Sequence, residues 1–191
     1  MTFSPLATDE LEARPERFVN AARDLANETG SAAFTVAQLT ARAGLSLKSF
    51  YACYPSKDDL LLALLAADSA IGAGFLADRI GDRTGADGVR AFVFELFDAI
   101  ALPGALGYAS VLVREHRRLV EFHDTELRDA LAPLIDLLAG NLAGADPQRD
   151  ARTMFGVLLD GIHDVVVGRV TDTTELAAYL HRFCTEGLST R

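Results

Sequence analysis

The chain has 191 residues and a net charge of −9, from 18 Lys+Arg against 27 Asp+Glu, so as a whole it is a poor electrostatic match for nucleic acid, and any such role needs a local patch. Half the residues are apolar, which excludes a disordered chain, and the longest uncharged stretch (residues 99–113) is broken by Pro103 and two glycines and is too short to span a membrane. Two distant cysteines, Cys53 and Cys184, exclude a disulfide framework and a four-cysteine metal site, and the N-terminus lacks the basic and apolar segments of a signal peptide, so a cytoplasmic location is expected.

Apolar spacing is helical nearly throughout, and no run alternates like a strand, so the expected fold class is all-α. About nine helices are drawn, at 15–29, 36–43, 47–53, 57–80, 86–102, 104–115, 117–143, 147–169 and 173–187. Residues 1–13 read as a disordered tail, 14–56 as a three-helix head, and 57–191 as a larger helical domain. Thr35 with Gln38 forms a capping-box pattern, as do Ser56 with Asp59 and Asp172 with Glu175. Asp146-Pro147 places a cap before a first-turn proline.

The densest signal lies in residues 34–60. A capped two-turn helix ends at Gly44, where a left-handed residue makes the turn, and Ser46 caps a second short helix. That spacing is a helix-turn-helix, whose second helix enters a DNA major groove. Val36, Leu39, Ala43, Leu45 and Phe50 make its small core. Leu47, Lys48, Ser49, Tyr51 and Ala52 are left outside. Lys57 stands at the start of the next helix, where a phosphate could sit. Residues 14–57 carry a net charge of +3 against −12 for the rest, and both of the chain's lysines fall there. Chance placement and a basic DNA-facing end both fit that count.

The run from Thr35 to Leu61 resembles the DNA-binding signature of tetracycline-repressor-like (TetR family) transcriptional regulators. The matching residues are Thr35, Ala43-Gly44, Ser46, Phe50-Tyr51, Tyr54, Ser56-Lys57 and Leu60-Leu61, preceded by Phe18, Ala21, Ala22, Leu25 and Gly30. Ala52 and Cys53 stand where that family often has His or Arg. The resemblance implies a dimeric regulator that binds a palindromic operator in double-stranded DNA and answers to a small molecule. It implies DNA contacts at Thr35, Ser46, Leu47, Lys48, Ser49, Tyr51 and Lys57. By their chemistry, Lys48 and Ser49 would read base edges, and Thr35, Tyr51 and Lys57 would hold phosphate.

The larger part is rich in apolar side chains that either fill a core or surround a cavity. Candidates for an apolar or amphipathic ligand are Phe75, Phe92, Phe97, Tyr108, Leu112, His116, Phe122, Met154, Phe155 and Leu158. Leu106, His123, Asp160 and His163 are further candidates. Arg114, Arg117 and Arg118 form either a solvated ridge or an anion clamp. Broad apolar stripes on the last two helices suit either the chain's own core or a homodimer interface through Leu159, Ile162, Val166, Leu176, Tyr179, Leu180 and Phe183. Gly161 would permit close helix approach. No nucleophile–base motif, phosphate loop or metal-ligand spacing occurs, so neither an enzyme, a metal nor a cofactor is expected. The function expected is a ligand-released repressor. The alternative is a small-molecule binder of the same fold that has lost operator binding.

Overall fold

The computed structural model describes residues 13–102 and 104–189, with side chains as far as residue 186. Among the described residues there are nine helices and no strand. The head comprises α1 (Arg14–Thr29), α2 (Val36–Ala43) and α3 (Leu47–Cys53). The long α4 (Lys57–Ile80) leads into α5 (Gly85–Ala101), α6 (Ala105–Leu119), α7 (Asp124–Ala139), α8 (Pro147–Val166) and α9 (Thr173–Ser189). The expected tail lies outside the described residues, apart from Ala13.

Local chemistry sets most boundaries. Thr35 and Gln38 complete a reciprocal capping box: the Thr35 hydroxyl accepts the Gln38 N–H at 3.2 Å, and Gln38 Oε1 accepts the Thr35 N–H at 2.8 Å. Gly44 ends α2 with φ +64°, a left-handed conformation that costs a side-chain-bearing residue energy. Ser46, Ser56, Asp146 and Asp172 each accept the N–H three residues on, at 2.8–3.2 Å. One boundary differs from expectation. Instead of ending at 115, α6 runs to Leu119, and α7 begins only at Asp124. His116 and His123 therefore lie on either side of a turn, not on one continuous helical face. No glycine or proline marks that turn; His123, at φ −137° and ψ 40°, leaves the helical region and Asp124 and Glu126 supply acid to the new first turn.

Two apolar cores share α4. In the head, Phe18, Leu39 and Phe50 pack with Leu60, Leu61 and Leu64 of α4, and with Val111, Leu119 and Leu127 of α6 and α7. In the body, Leu76 and Ile80 join Phe92, Phe97, Leu138, Met154, Leu158 and Leu180. The division thus falls within α4, between Leu65 and Leu76, and the first half of that helix packs with the head. By length and composition α4 could cross a bilayer, a property the uncharged run 99–113 lacks. Here its leucines are buried in both cores, as in the central helix of a globular protein. Gly161 is required where α8 meets its neighbours: a Cβ there would collide with Leu180 Cδ1 and stand 3.2 Å from Phe97 Cζ.

Candidate nucleic-acid interface and ligand cavity

The reading helix α3 is held from behind by aromatic packing. Phe50 is fully buried and meets Phe18 edge-to-face at 5.5 Å, while Tyr54 lies 6.0 Å from Phe50 and donates its hydroxyl to the Pro15 carbonyl at 3.3 Å. Such ring pairs are worth about 0.5–1.5 kcal/mol beyond their buried area. Phe50 therefore fixes which face of α3 looks outward. That face presents Leu47, 52% exposed, Tyr51, 56% exposed, and Lys48, whose ammonium makes no ion pair among the described residues.

The other expected DNA contacts have internal partners. Ser46 Oγ lies 2.9 Å from Ser49 Oγ and accepts the Ser49 N–H at 3.1 Å, so the two serines hold the start of α3 together. Thr35 is exposed, but its hydroxyl belongs to the capping box. Lys57 differs most from the phosphate role. Its ammonium donates to the Ala32 carbonyl and sits 4.6 Å from the centre of the Phe34 ring, and burial pushes its pKa down. It stitches the α1–α2 connection to α4. Three other cations of the basic segment are likewise engaged: Arg42 with Glu28, both contacts at 2.7 Å, Arg23 with Asp68, and Arg17 with the Ala43 carbonyl at 2.7 Å.

Below the head, α4, α6, α7 and α8 enclose an inner cavity of about 120 Å³, walled mainly by Leu65, Leu112, Leu131, Leu134, Phe155 and Leu159. Its polar groups are Asp68, Ser69, Tyr108 and His116. A wider groove of about 370 Å³, edged by Asp124, Arg128, Asp136 and Arg152, shares His116, Leu127, Leu131, Phe155 and Leu159 with the cavity and leads from it to the surface. Of the expected ligand residues, the structure brings together Tyr108, Leu112, His116 and Phe155. It does not include Phe92, Phe97, Met154 and Leu158, which are buried as body core. Phe75 is partly exposed under Arg79, and Phe122 is 75% exposed in the α6–α7 turn. Leu106 is exposed, His123 faces Asp58 at 3.6 Å, Asp160 pairs with Arg117 on the surface, and His163 is half-buried on α8.

Asp68 and Ser69 escaped the reading of the sequence. A signal for them exists: Asp68 is the only charged residue between Leu60 and Ala77. Asp68 has two masters. Its Oδ1 accepts from Arg23 Nη2 at 2.6 Å and Nε at 2.9 Å, while its Oδ2 accepts the Tyr108 hydroxyl. Burial pushes its carboxyl pKa up, against the opposing pull of Arg23. Since Arg23 lies on α1, this carboxylate joins the cavity wall to the head. Gly107 of α6 adds a close approach, its Cα facing the Asn27 carbonyl so that a Cβ would lie 3.6 Å away. At the far end of α6, Arg118 grips Asp58 through Nη1 at 2.9 Å and Nη2 at 2.7 Å, and Glu115 through Nε at 2.8 Å. Arg117 and Arg118 are thus committed to carboxylates of the chain itself, as in a solvated ridge.

Among the expected dimer residues, Ile162 and Leu180 are buried in the chain's own core, and Leu159 lines the cavity. Leu176 and Val166 pack partly on that core. Tyr179, 53% exposed, and Phe183, 58% exposed, stack outward with ring centres 6.3 Å apart. Cys184 is buried, which pushes its thiol pKa up, and Cys53 is half-buried. Among the described residues, no three of His, Cys, Asp and Glu converge to hold a metal ion.

Residues 18–64 match the family model described as bacterial regulatory proteins, tetR family. No curated protein matches the chain by sequence. Among solved structures, a TetR transcriptional regulator from Rhodococcus sp. RHA1 is similar at TM-score 0.74 and 17% identity, covering 92% of this chain and 96% of that one. FadR from Bacillus subtilis, in complex with stearoyl-CoA, is similar at TM-score 0.66 and 17% identity over 88% and 96%. RolR in complex with resorcinol is similar at 0.61 and 19% over 92% and 89%. These likenesses show the fold. Residues 18–64 thus carry a domain that matches the tetR family of bacterial regulatory proteins, and the described residues share the fold of these similar regulators.

Proposed function

We propose that the chain is a homodimeric, cytoplasmic transcriptional repressor that grips a palindromic operator through α3 and lets go when an apolar or amphipathic small molecule fills the cavity. The observation that carries the reading is the outward face of α3, where Leu47, Lys48 and Tyr51 are exposed while Phe50 locks the helix from behind. Two such heads on a two-fold axis read half-sites one helical turn apart. Tyr179 and Phe183 offer the exposed apolar surface for the second copy.

The effector part rests on the cavity and on the complexes of two similar structures, one with stearoyl-CoA and one with resorcinol. The ligand lowers DNA affinity only by as much as it prefers the released arrangement of the heads. Asp68 is the natural joint, because one carboxylate serves both Tyr108 in the cavity wall and Arg23 in the head. Specificity is expected from Lys48 against guanine acceptors and from Leu47 against a thymine methyl.

A selection from fragments of the source genome, using the purified full-length protein, tests this. The expected product is a family of fragments sharing an inverted repeat. Recovery without any shared repeat overturns the operator-binding reading. It would favour the second reading, a small-molecule binder without an operator, which the engagement of Lys57, Arg42 and Arg23 within the chain supports.

A further inference from the structure

Two buried side-chain polar atoms among the described residues have no hydrogen-bond partner, Ser69 Oγ and His181 Nε2. Only Ser69 belongs to the lining of the inner cavity. It is 3% exposed and sits in the middle of α4, where a serine ordinarily returns its hydroxyl to the carbonyl four residues back. Here it does not. A buried hydroxyl left without a partner sacrifices its hydration for nothing, so such groups mark places where a partner arrives.

The cavity around it limits what that partner can be. An apolar cavity of about 150 Å³ holds benzene, and this one of about 120 Å³ continues into the outer groove. Its inner end therefore suits a six-membered ring or a short aliphatic chain. Its walls offer no free charge. The negative charge of Asp68 is met by Arg23 at 2.6 Å. His116, the other ionisable group besides Tyr108, is held toward its neutral form, first by burial and then by the neighbouring Arg117. A carboxylate or phosphate at the inner end would lie beside Asp68 and find no cation among the residues that line it; Arg128 and Arg152 stand only in the outer groove. An ammonium would find an anion already paired. The Tyr108 hydroxyl gives its proton to Asp68 and so can only accept from a ligand, whereas Ser69 can donate or accept.

We propose that Ser69 is the hydrogen-bonding anchor of the effector site, and that the effector presents to it a neutral inner end, a hydroxyl or carbonyl on an apolar body of about the size of a six-membered ring. This rests on the ligand-responsive reading above and names its ligand class. It also adds Ser69 to the specificity residues, with Tyr108 as the second acceptor for a ligand hydroxyl.

Isothermal titration of the full-length protein with phenol, toluene and benzoate separates the possibilities, since phenol and toluene have the same size and differ in the oxygen. Ser69→Ala is the variant, alanine being at least as good a helix former. Phenol is expected to bind the parent and to lose about three- to tenfold in affinity in Ser69→Ala. Toluene should bind both proteins within a factor of two, and benzoate at least tenfold more weakly than phenol. Equal losses of phenol and toluene would assign Ser69 a packing role and overturn the anchor. Benzoate binding as well as phenol would overturn the neutral class while leaving the cavity as the effector site. Failure of all three probes to bind the parent would overturn the cavity reading itself, independently of whether the protein binds DNA.

Discussion

The joint between cavity and head can be weighed directly. Arg23 places two N–H groups on Asp68 Oδ1 at 2.6 and 2.9 Å, with side chains only 26% and 14% exposed. A fully exposed ion pair contributes under about 1 kcal/mol, whereas hydrogen bonds to charged groups away from water contribute about 1.5–3 kcal/mol. This pair lies between, nearer the second, so a coupling of about 2 kcal/mol is expected. The measurement is a double-mutant cycle of Arg23→Met and Asp68→Asn by urea denaturation at one fixed protein concentration, because a dimer's stability depends on it. Each single variant should lower Tm by about 4–8 °C at this chain length. The pH dependence has a definite sign. Asp68 has a raised folded pKa, and removing Arg23 raises it further, so the folded state of Arg23→Met holds a proton more tightly than the unfolded chain does. The variant's deficit should therefore be greatest at neutral pH and shrink as pH falls through the folded pKa toward the ordinary carboxyl value. A coupling below about 0.5 kcal/mol would mean that water screens the pair. In that case it could not carry information from the cavity to the head.

Other outcomes follow from the same contacts. Gly161→Ala drives a methyl group into Leu180 and Phe97 and should cost about 1–3 kcal/mol, read from the urea midpoint, whereas Gly74→Ala, on α4 with nothing within 4 Å, should stabilise by about 0.5–1 kcal/mol. Lys57→Ala removes the tie to the Ala32 carbonyl and should destabilise the fold by about 1–3 kcal/mol. Lys48→Ala should leave the urea midpoint unchanged and flatten the difference in affinity between operator and scrambled DNA; an unchanged ratio would move the reading face elsewhere. The hydrogen bonds from Arg118 hold Asp58 below the usual carboxylate range. Their stabilisation is present above the unfolded pKa and is lost as pH falls through the folded one. Asp58→Asn should accordingly flatten the acid limb of Tm against pH below about pH 4.

The head was legible because its signals are local. Thr35 and Gln38 are three residues apart, Gly44 needs only its own φ, and Ser46 caps its own helix. Asp146-Pro147 and Asp172 marked the last two helices for the same reason. The turn at residues 120–123 was not legible, because no glycine or proline breaks the chain there and the polar run His123 to Glu126 suits a helix interior as well as a helix start. The cavity was legible only in part. Apolar spacing identifies which face of a helix is buried, but not whether the neighbouring helix fills the space opposite. Phe92 and Leu158 therefore looked the same in sequence as Leu112 and Phe155, yet only the last two also line the cavity. The tie of Lys57 was not legible, because the Ala32 carbonyl that accepts from this lysine lies 25 residues away in the chain.

The central claim is selective DNA binding by the α3 face, and its most direct test is a fluorescence titration of the full-length protein. One duplex comes from upstream of its own coding region, the other is a scrambled copy, and each is measured at two salt concentrations. The account predicts tight binding to the first duplex, at least a thousandfold weaker binding to the second, and a steep loss of affinity as salt rises. Equal, weak binding to both duplexes, together with an empty genome-fragment selection, would contradict it.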